Sequence, residues 1–241
     1  MASIDIGIDL GTANIIIMTD HKGVILNEPS VVAYNKKSER VVAVGNEAFD
    51  MLGRTPEYIV AIRPLRDGVI SDHNMTQAMI KEFILKVTGR QLIKPRVVLC
   101  IPSFITDVES RAVVEAALSA GARKVYLIEE PVAALLGADI DVTKPEGNMV
   151  VDIGGGTADI AVVSLGGIVQ SKSIKVAGNK IDQAIIRYIT NKYKILIGEK
   201  TAENVKIELA NVFNPTGEKT MVIKGRNLLK GLPEKLVVTD I

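Results

Sequence analysis

The chain has 241 residues, 47% apolar and 24% charged, which supplies one large core or two modest ones and argues against disorder. A net charge of +1, no Lys/Arg run and only 4% aromatic residues exclude a nucleic-acid surface of either the electrostatic or the base-stacking kind. One cysteine cannot form an internal disulfide, no signal-peptide pattern opens the chain and no apolar run is long enough to span a bilayer, so a reducing cytoplasm is the expected compartment.

Strand-like and helical segments alternate, the pattern of an α/β protein. Apolar stretches at Ile4–Ile8, Ile15–Met18 and Val24–Leu26 predict three strands, followed by Ser30–Tyr34 and Val41–Val44. A helix is expected from His73 to Val87, where Met75, Met79, Ile80, Phe83, Ile84 and Val87 fall on one face. The strand Val97–Ile101 carries Cys100, read as a buried side chain. Thr106-Asp107-Val108-Glu109 reads as a capping box opening a helix to about Ala120, stopped by Gly121. A strand Val125–Ile128 leads through Glu129-Glu130-Pro131 into a short alanine-rich helix with proline in its first turn. The polar stretch Asp141–Gly147 is the candidate linker. Beyond it the pattern restarts: a strand, a glycine-rich turn, a strand, and then Gly166-Gly167 turning into Ile168–Val169 and Ile174–Val176. Helices over Lys180–Tyr193 and Ala202–Val212 and a hairpin-like Thr220–Lys224 with Leu236–Val238 end the chain. Two related lobes are expected, 1–143 (with a small inserted subdomain at about 32–70) and 144–241.

One turn occurs twice. Asp9-Leu10-Gly11-Thr12-Ala13-Asn14 and Asp152-Ile153-Gly154-Gly155-Gly156-Thr157-Ala158-Asp159 each lie between short apolar runs, which suggests an internal duplication. A strand, a glycine-threonine turn and a second strand make a hairpin, unlike the strand-to-helix loop of other phosphate sites. Glycine lets the backbone approach a bulky anion, and threonine and backbone N–H groups can hydrogen-bond it. The leading aspartates, Asp9 and Asp152, suit a hydrated Mg²⁺, which takes one or two carboxylates, phosphate oxygens and water. Two such hairpins facing each other would grip a nucleotide's phosphate chain.

These motifs, with Glu130-Pro131 as a connecting signal, resemble the phosphate and connecting motifs of the actin-like ATPases. Within that superfamily the chain is similar to the bacterial actin homologues of the MreB/Mbl family, on Gly11–Asn14, Leu26–Ala33, Ala61–Ile70, Leu127–Pro131 and Ile197–Glu203, and the similarity covers essentially the whole sequence. The resemblance implies an actin-like fold of duplicated ribonuclease H-like lobes. It also implies an ATPase that forms filaments on the inner face of the cytoplasmic membrane and sets cell shape by organising the wall-synthesis machinery. By position, Gly11 belongs to the nucleotide-binding turn, in which Thr12, Ala13 and Asn14 would contact the β- and γ-phosphates of ATP. Asp9 and Asp152 would hold Mg²⁺ through water, and Gly154, Gly155, Gly156 and Thr157 would wrap the phosphates from the other side. Glu203 and Lys206 match an E-x-x-K that touches the nucleoside. Glu130 matches the glutamate that orients the attacking water; independently, hydrolysis needs water positioning and charge neutralisation, which a carboxylate at a strand-to-helix junction suits. The bland alternative is that Glu130 only complements a helix N-terminus.

Two positions depart from the family pattern: Asp159 stands where many members have Glu, and Asn179 where an acidic residue is usual. The resemblance further implies a later glycine-rich adenine turn that Gly167–Ile241 does not supply, so the fold is expected to be C-terminally incomplete and ATP binding weak or absent. Leu92 and Ile93, flanked by Arg90, Lys94 and Arg96, fall where the family often inserts apolar side chains into the membrane; packing beneath a helix is the alternative. A small-molecule kinase of the same fold, a chaperone-type ATPase, or an inactive fragment that caps filaments are the rival readings.

Overall fold

The computed structural model describes residues 5–66, 68–89 and 94–240. By internal contacts the chain divides into two compact units, residues 1–175 and 176–241.

The first unit is built on a mixed five-stranded sheet. Strands β1 (Asp5–Leu10), β2 (Asn14–Thr19) and β3 (Gly23–Pro29) form an antiparallel meander. Two crossovers add parallel strands on the free side of β1. After β4 (Val32–Asn35), β5 (Arg40–Val44), α1 (Asn46–Asp50), β6 (Ile59–Ile62), β7 (Leu65–Arg66) and β8 (Val69–Ile70), helix α2 (His73–Thr88) leads into β9 (Arg96–Ile101). Helix α3 (Asp107–Ala120) then leads into β10 (Lys124–Glu129). The resulting order is β10-β9-β1-β2-β3, while β5-β4-β6 and β7-β8 form small separate sheets.

Period-two alternation sets the faces of the large sheet. Ile6, Ile8, Ile15, Ile17, Val97 and Leu99 are buried beneath Met79, Ile80 and Phe83 of α2 and Val113, Ala116 and Ala117 of α3. The intervening residues of β1, Gly7 and Asp9, therefore face away from those helices, and Asp9 pairs across the parallel ladder with Cys100. Both helices begin on side-chain caps. Asp72 accepts from the Met75 N–H, and Thr106 and Glu109 form the expected capping box, with Gly121 ending α3 in the left-handed conformation.

Helix α4 (Glu130–Gly137) follows β10 directly, with Pro131 in its first turn. A second antiparallel meander comes next, β11 (Asn148–Ile153), β12 (Ala158–Ser164) and β13 (Gly167–Ile174). It repeats the β1-β2-β3 arrangement, and in each copy an aspartate is the penultimate residue of the first strand. Leu135 of α4 packs on Ala161 and Val163 of β12. The Gly166-Gly167 turn forms as expected, but β13 runs unbroken to Ile174 where two short strands were predicted. Gln170 and Ser171 keep the ladder with Val162 and Ala161, because a half-exposed edge strand accommodates polar side chains on its solvent face.

In the second unit, α5 (Gly178–Tyr193) and α6 (Glu199–Leu209) pack on the sheet of β14 (Ile195–Leu196), β15 (Thr220–Asn227) and β16 (Pro233–Thr239). Ile189, Ala202, Val205, Leu209, Ile223 and Val238 form its core. Helix α6 starts and ends three residues earlier than its apolar pattern suggests, since Gly198 releases the chain into the polar first turn Glu199-Lys200-Thr201.

Candidate functional site

The turn between β1 and β2 is pinned from behind. Ser30 Oγ donates to the Gly11 carbonyl at 2.6 Å, and the Ala13 carbonyl accepts from the Ser30 N–H at 2.9 Å and from the Arg63 guanidinium at 3.3 Å. Gly11 is required: a Cβ there would lie 2.6 Å from the Asn14 carbonyl oxygen. Thr12 is buried and accepts at Oγ1 from the Gly68 N–H at 3.0 Å, while Asn14 is exposed at the start of β2.

The second turn, between β11 and β12, closes through the Gly154 N–H donating to the Thr157 carbonyl at 2.9 Å. It meets the first. A Cβ on Gly155 would lie 2.5 Å from the Ala13 Cβ and 3.2 Å from the Ala13 nitrogen. Gly68, at a positive φ of 79°, lies against both turns: its N–H bonds Thr12, and a Cβ on it would approach Thr157 Cγ2 to 2.9 Å. Gly11, Thr12, Ala13, Gly154, Gly155 and Thr157 are thus brought into one constellation, with Asn14 and Gly156 in the same two turns. Ser30, Arg63 and Gly68 belong to it as well. All three stand in the stretches that carry the family resemblance, but nothing in their spacing marks them as supports; only the fold, which brings Ser30, Arg63 and Gly68 back to the β1–β2 turn, does.

A set of carboxyl groups stands beside the turns. Burial raises Asp9, and the Asp152 carboxylate adds to the effect. Burial likewise raises Asp152, with Asp159 adding to it. Glu130, the first residue of α4, is pushed up to about 8 by burial and by Asp9, Asp159 and Asp152. Four acidic side chains on β1, α4, β11 and β12 therefore feel one another's charge. Cys100 is pushed up to about 12 by burial, Asp9, Glu130 and Asp152, so it remains a thiol and no nucleophile. Asp159 is 2% exposed, and its Oδ1 has no hydrogen-bond partner among the described residues. In the sequence Asp159 stands out only as a departure from the family pattern. The signal was the alternation of β12, which puts residue 159 on the inward face with Ala161 and Val163.

This donor set fits Mg²⁺ held through water. Among the described residues no three His, Cys, Asp or Glu side chains gather closely enough to ligate a metal ion directly. Yet several mutually repelling, partly buried carboxyl groups and one unpartnered buried oxygen call for a cation, and Mg²⁺ typically keeps several of its waters.

Glu203 and Lys206 lie on α6 in the second unit, three residues apart and so on one helical face. Lys206 Nζ is 2.9 Å from Asp182 Oδ1 and 3.1 Å from Oδ2 on α5, and also reaches the Gly178 carbonyl at 3.5 Å. Nothing in the sequence around Asp182 marks it as the partner of Lys206. Leu92 and Ile93, the candidate membrane-inserting pair, lie outside the described residues.

A family model described as MreB/Mbl protein matches residues 3–241. The chain belongs to the MreB/Mbl family. It is 54% identical over 237 residues to the cell shape-determining protein Mbl of Bacillus subtilis (strain 168), covering 98% of this chain and 71% of that protein. It is 47% identical over 239 residues to the cell shape-determining protein MreB of Escherichia coli (strain K12), covering 97% and 69%. Among solved structures it resembles MreB5 of Spiroplasma citri bound to ADP, with a TM-score of 0.91 and 40% identity over 99% of this chain and 72% of that one. The same protein bound to AMPPNP gives 0.88 and 39% over 100% and 72%. The chain therefore has the mixed α/β, actin-like fold of this family, whose named relatives here are cell shape-determining proteins. No helix among the described residues is long and apolar enough to cross a membrane.

Proposed function

We propose that this protein binds ATP with Mg²⁺, weakly as the missing adenine turn implies, hydrolyses it, and couples the cycle to filament formation at the inner face of the cytoplasmic membrane, where the filament organises wall synthesis. The observation that carries the reading is the approach of Gly155 to Ala13, which sets two glycyl turns face to face beside a group of carboxyl side chains. A relative 39–40% identical has been crystallised with ADP and with AMPPNP.

In this reading Thr12, Ala13 and Asn14 contact the β- and γ-phosphates from one turn, and Gly154, Gly155, Gly156 and Thr157 from the other, with no side chain at the glycines to hold the anion away. Asp9 and Asp152 are the residues that would hold Mg²⁺ through its water, and the metal supplies neutralisation of the phosphate charge. Glu130 accepts a hydrogen bond from the attacking water and takes its proton. The Mg²⁺ that Asp9 and Asp152 would hold would offset their push on Glu130 and favour its ionised, proton-accepting form. Glu203 and Lys206 contact the nucleoside, with Asp182 holding the Lys206 ammonium in place. Membrane contact is assigned to Leu92 and Ile93 with the flanking cations, each copy weak and the filament multiplying them.

Phosphate release and light scattering, followed together with Mg²⁺ and ATP, test the catalytic part. The wild-type chain is expected to scatter and release phosphate, and Glu130→Ala to bind nucleotide but hydrolyse it at least about a hundredfold more slowly, within the range for loss of a general base. Equal rates would remove Glu130 from the mechanism, and phosphate passing to a small acceptor would make the protein a kinase. Membrane contact is tested separately by pelleting with anionic liposomes, which Leu92→Ser with Ile93→Ser should abolish.

A further inference from the structure

We propose that Asp159 is the inner carboxylate of a cation site that it shares with Asp152. The inference deepens the phosphate-site reading by adding a residue which that reading does not use.

Asp152 and Asp159 are direct cross-strand partners in the antiparallel β11–β12 ladder, so their side chains leave the sheet on the same face at one level. Like charges placed opposite each other destabilise a sheet. Asp159 also lies in the run that turns Ala161 and Val163 into the core under α4, and it is 2% exposed. Its Oδ1 has no hydrogen-bond donor among the described residues. Their ion pairs to Lys, Arg and His leave both aspartates out. A buried carboxylate with an unsatisfied oxygen and a second carboxylate facing it is among the costlier arrangements a fold can hold. A purely structural aspartate in that place would be bonded to a backbone N–H or a cationic side chain.

A cation from solution resolves both problems at once. Residue 159 follows the Gly154–Thr157 turn by two positions, so a cation there also neutralises phosphate charge close by. Two sources share this chemistry: a hydrated Mg²⁺ that arrives with the nucleotide, and a monovalent ion such as K⁺ coordinated by the pair.

Thermal unfolding of the wild type, Asp159→Asn and Asp159→Glu in choline chloride, titrated with MgCl₂ or KCl with and without ADP, tests the inference. The wild-type Tm is expected to rise with one of the two cations, Mg²⁺ identifying the hydrated divalent ion and K⁺ the monovalent one. Asp159→Asn, which keeps the shape and removes the charge, should start at a higher Tm in choline and need at least about tenfold more cation for the same rise. Asp159→Glu, which keeps the carboxylate, should retain the response. The inference is overturned if Asp159→Asn titrates like the wild type, if it starts at a lower Tm in choline, or if neither cation shifts the wild type. A shift by ADP reports on the nucleotide reading independently, so the two can fail separately.

Discussion

The backbone of Gly155 lies against Ala13, so close that one added methyl group would sit 2.5 Å from the Ala13 Cβ. Two turns of nearly the same composition, one at the β1–β2 junction and one at the β11–β12 junction, thereby meet, with Asp9 and Asp152 at the ends of the strands that lead into them.

Gly155→Ala should force these turns apart. Affinity for Mg²⁺ and AMPPNP is expected to fall at least about tenfold, equivalent to roughly 1.4 kcal/mol, with the far-ultraviolet circular dichroism unchanged. Gly167→Ala, where an added Cβ meets nothing within 4 Å, is the matched control and should bind like the wild type. Equal affinities for the two variants would show that the contact does not shape the site.

Glu130 gives stability a pH signature. Its proton affinity rises from the ordinary 4.5 to about 8 on folding, so the folded chain binds more protons than the unfolded one across that interval. The stabilising contribution is complete below about 4.5 and is lost as the pH climbs through about 8. Glu130→Gln should flatten this decline and raise Tm by several degrees at pH 8.5, measured by calorimetry without Mg²⁺ or nucleotide. A wild-type stability that rises between pH 5 and 8 while the variant's does not would reverse the sign and refute the assignment.

The Asp182–Lys206 pair should tie α5 to α6. Its side chains are 13% and 22% exposed, so removing one partner leaves a largely desolvated charge. Asp182→Asn is expected to destabilise by roughly 1–3 kcal/mol in urea, and the double variant with Lys206→Met by less than the sum of the single changes. Additive losses would mean that the two side chains do not act as a pair.

The cap on α3 offers a test of folding free of nucleotide. Thr106 Oγ1 accepts from the Glu109 N–H at 3.2 Å, while Glu109 Oε2 accepts from the Thr106 N–H at 2.9 Å. Thr106→Ala should cost about 1 kcal/mol, a fall of roughly 2–4 °C in Tm for a chain of this size, with nucleotide binding intact.

Much of this fold was legible because local signals and tertiary demands agree. The helix predicted from His73 to Val87 forms as His73–Thr88, since its apolar stripe is the face that covers the sheet. The Thr106 box and Gly121 bracket α3 as the sequence says. The short elements between residues 46 and 70 were not legible: a five-residue helix and two-residue strands carry too few residues for periodicity, and their neighbours decide them. At the site, glycine and threonine announced the turns because few other side chains tolerate them. Gly68, Arg63 and Asp182 announced nothing, because each acts on a partner distant in sequence. Asp159 was half visible: its place on an alternating strand pointed inward, but only the Asp152 register reveals two carboxyl groups face to face.

The most direct test of the two-turn, metal-bridged phosphate site is the Mg²⁺ dependence of AMPPNP affinity in the wild type, Asp9→Asn and Asp152→Asn. Wild-type affinity is expected to drop at least about tenfold when EDTA replaces Mg²⁺, and each aspartate variant to bind weakly with little response to the metal. An undiminished Mg²⁺ response in both variants would contradict the account.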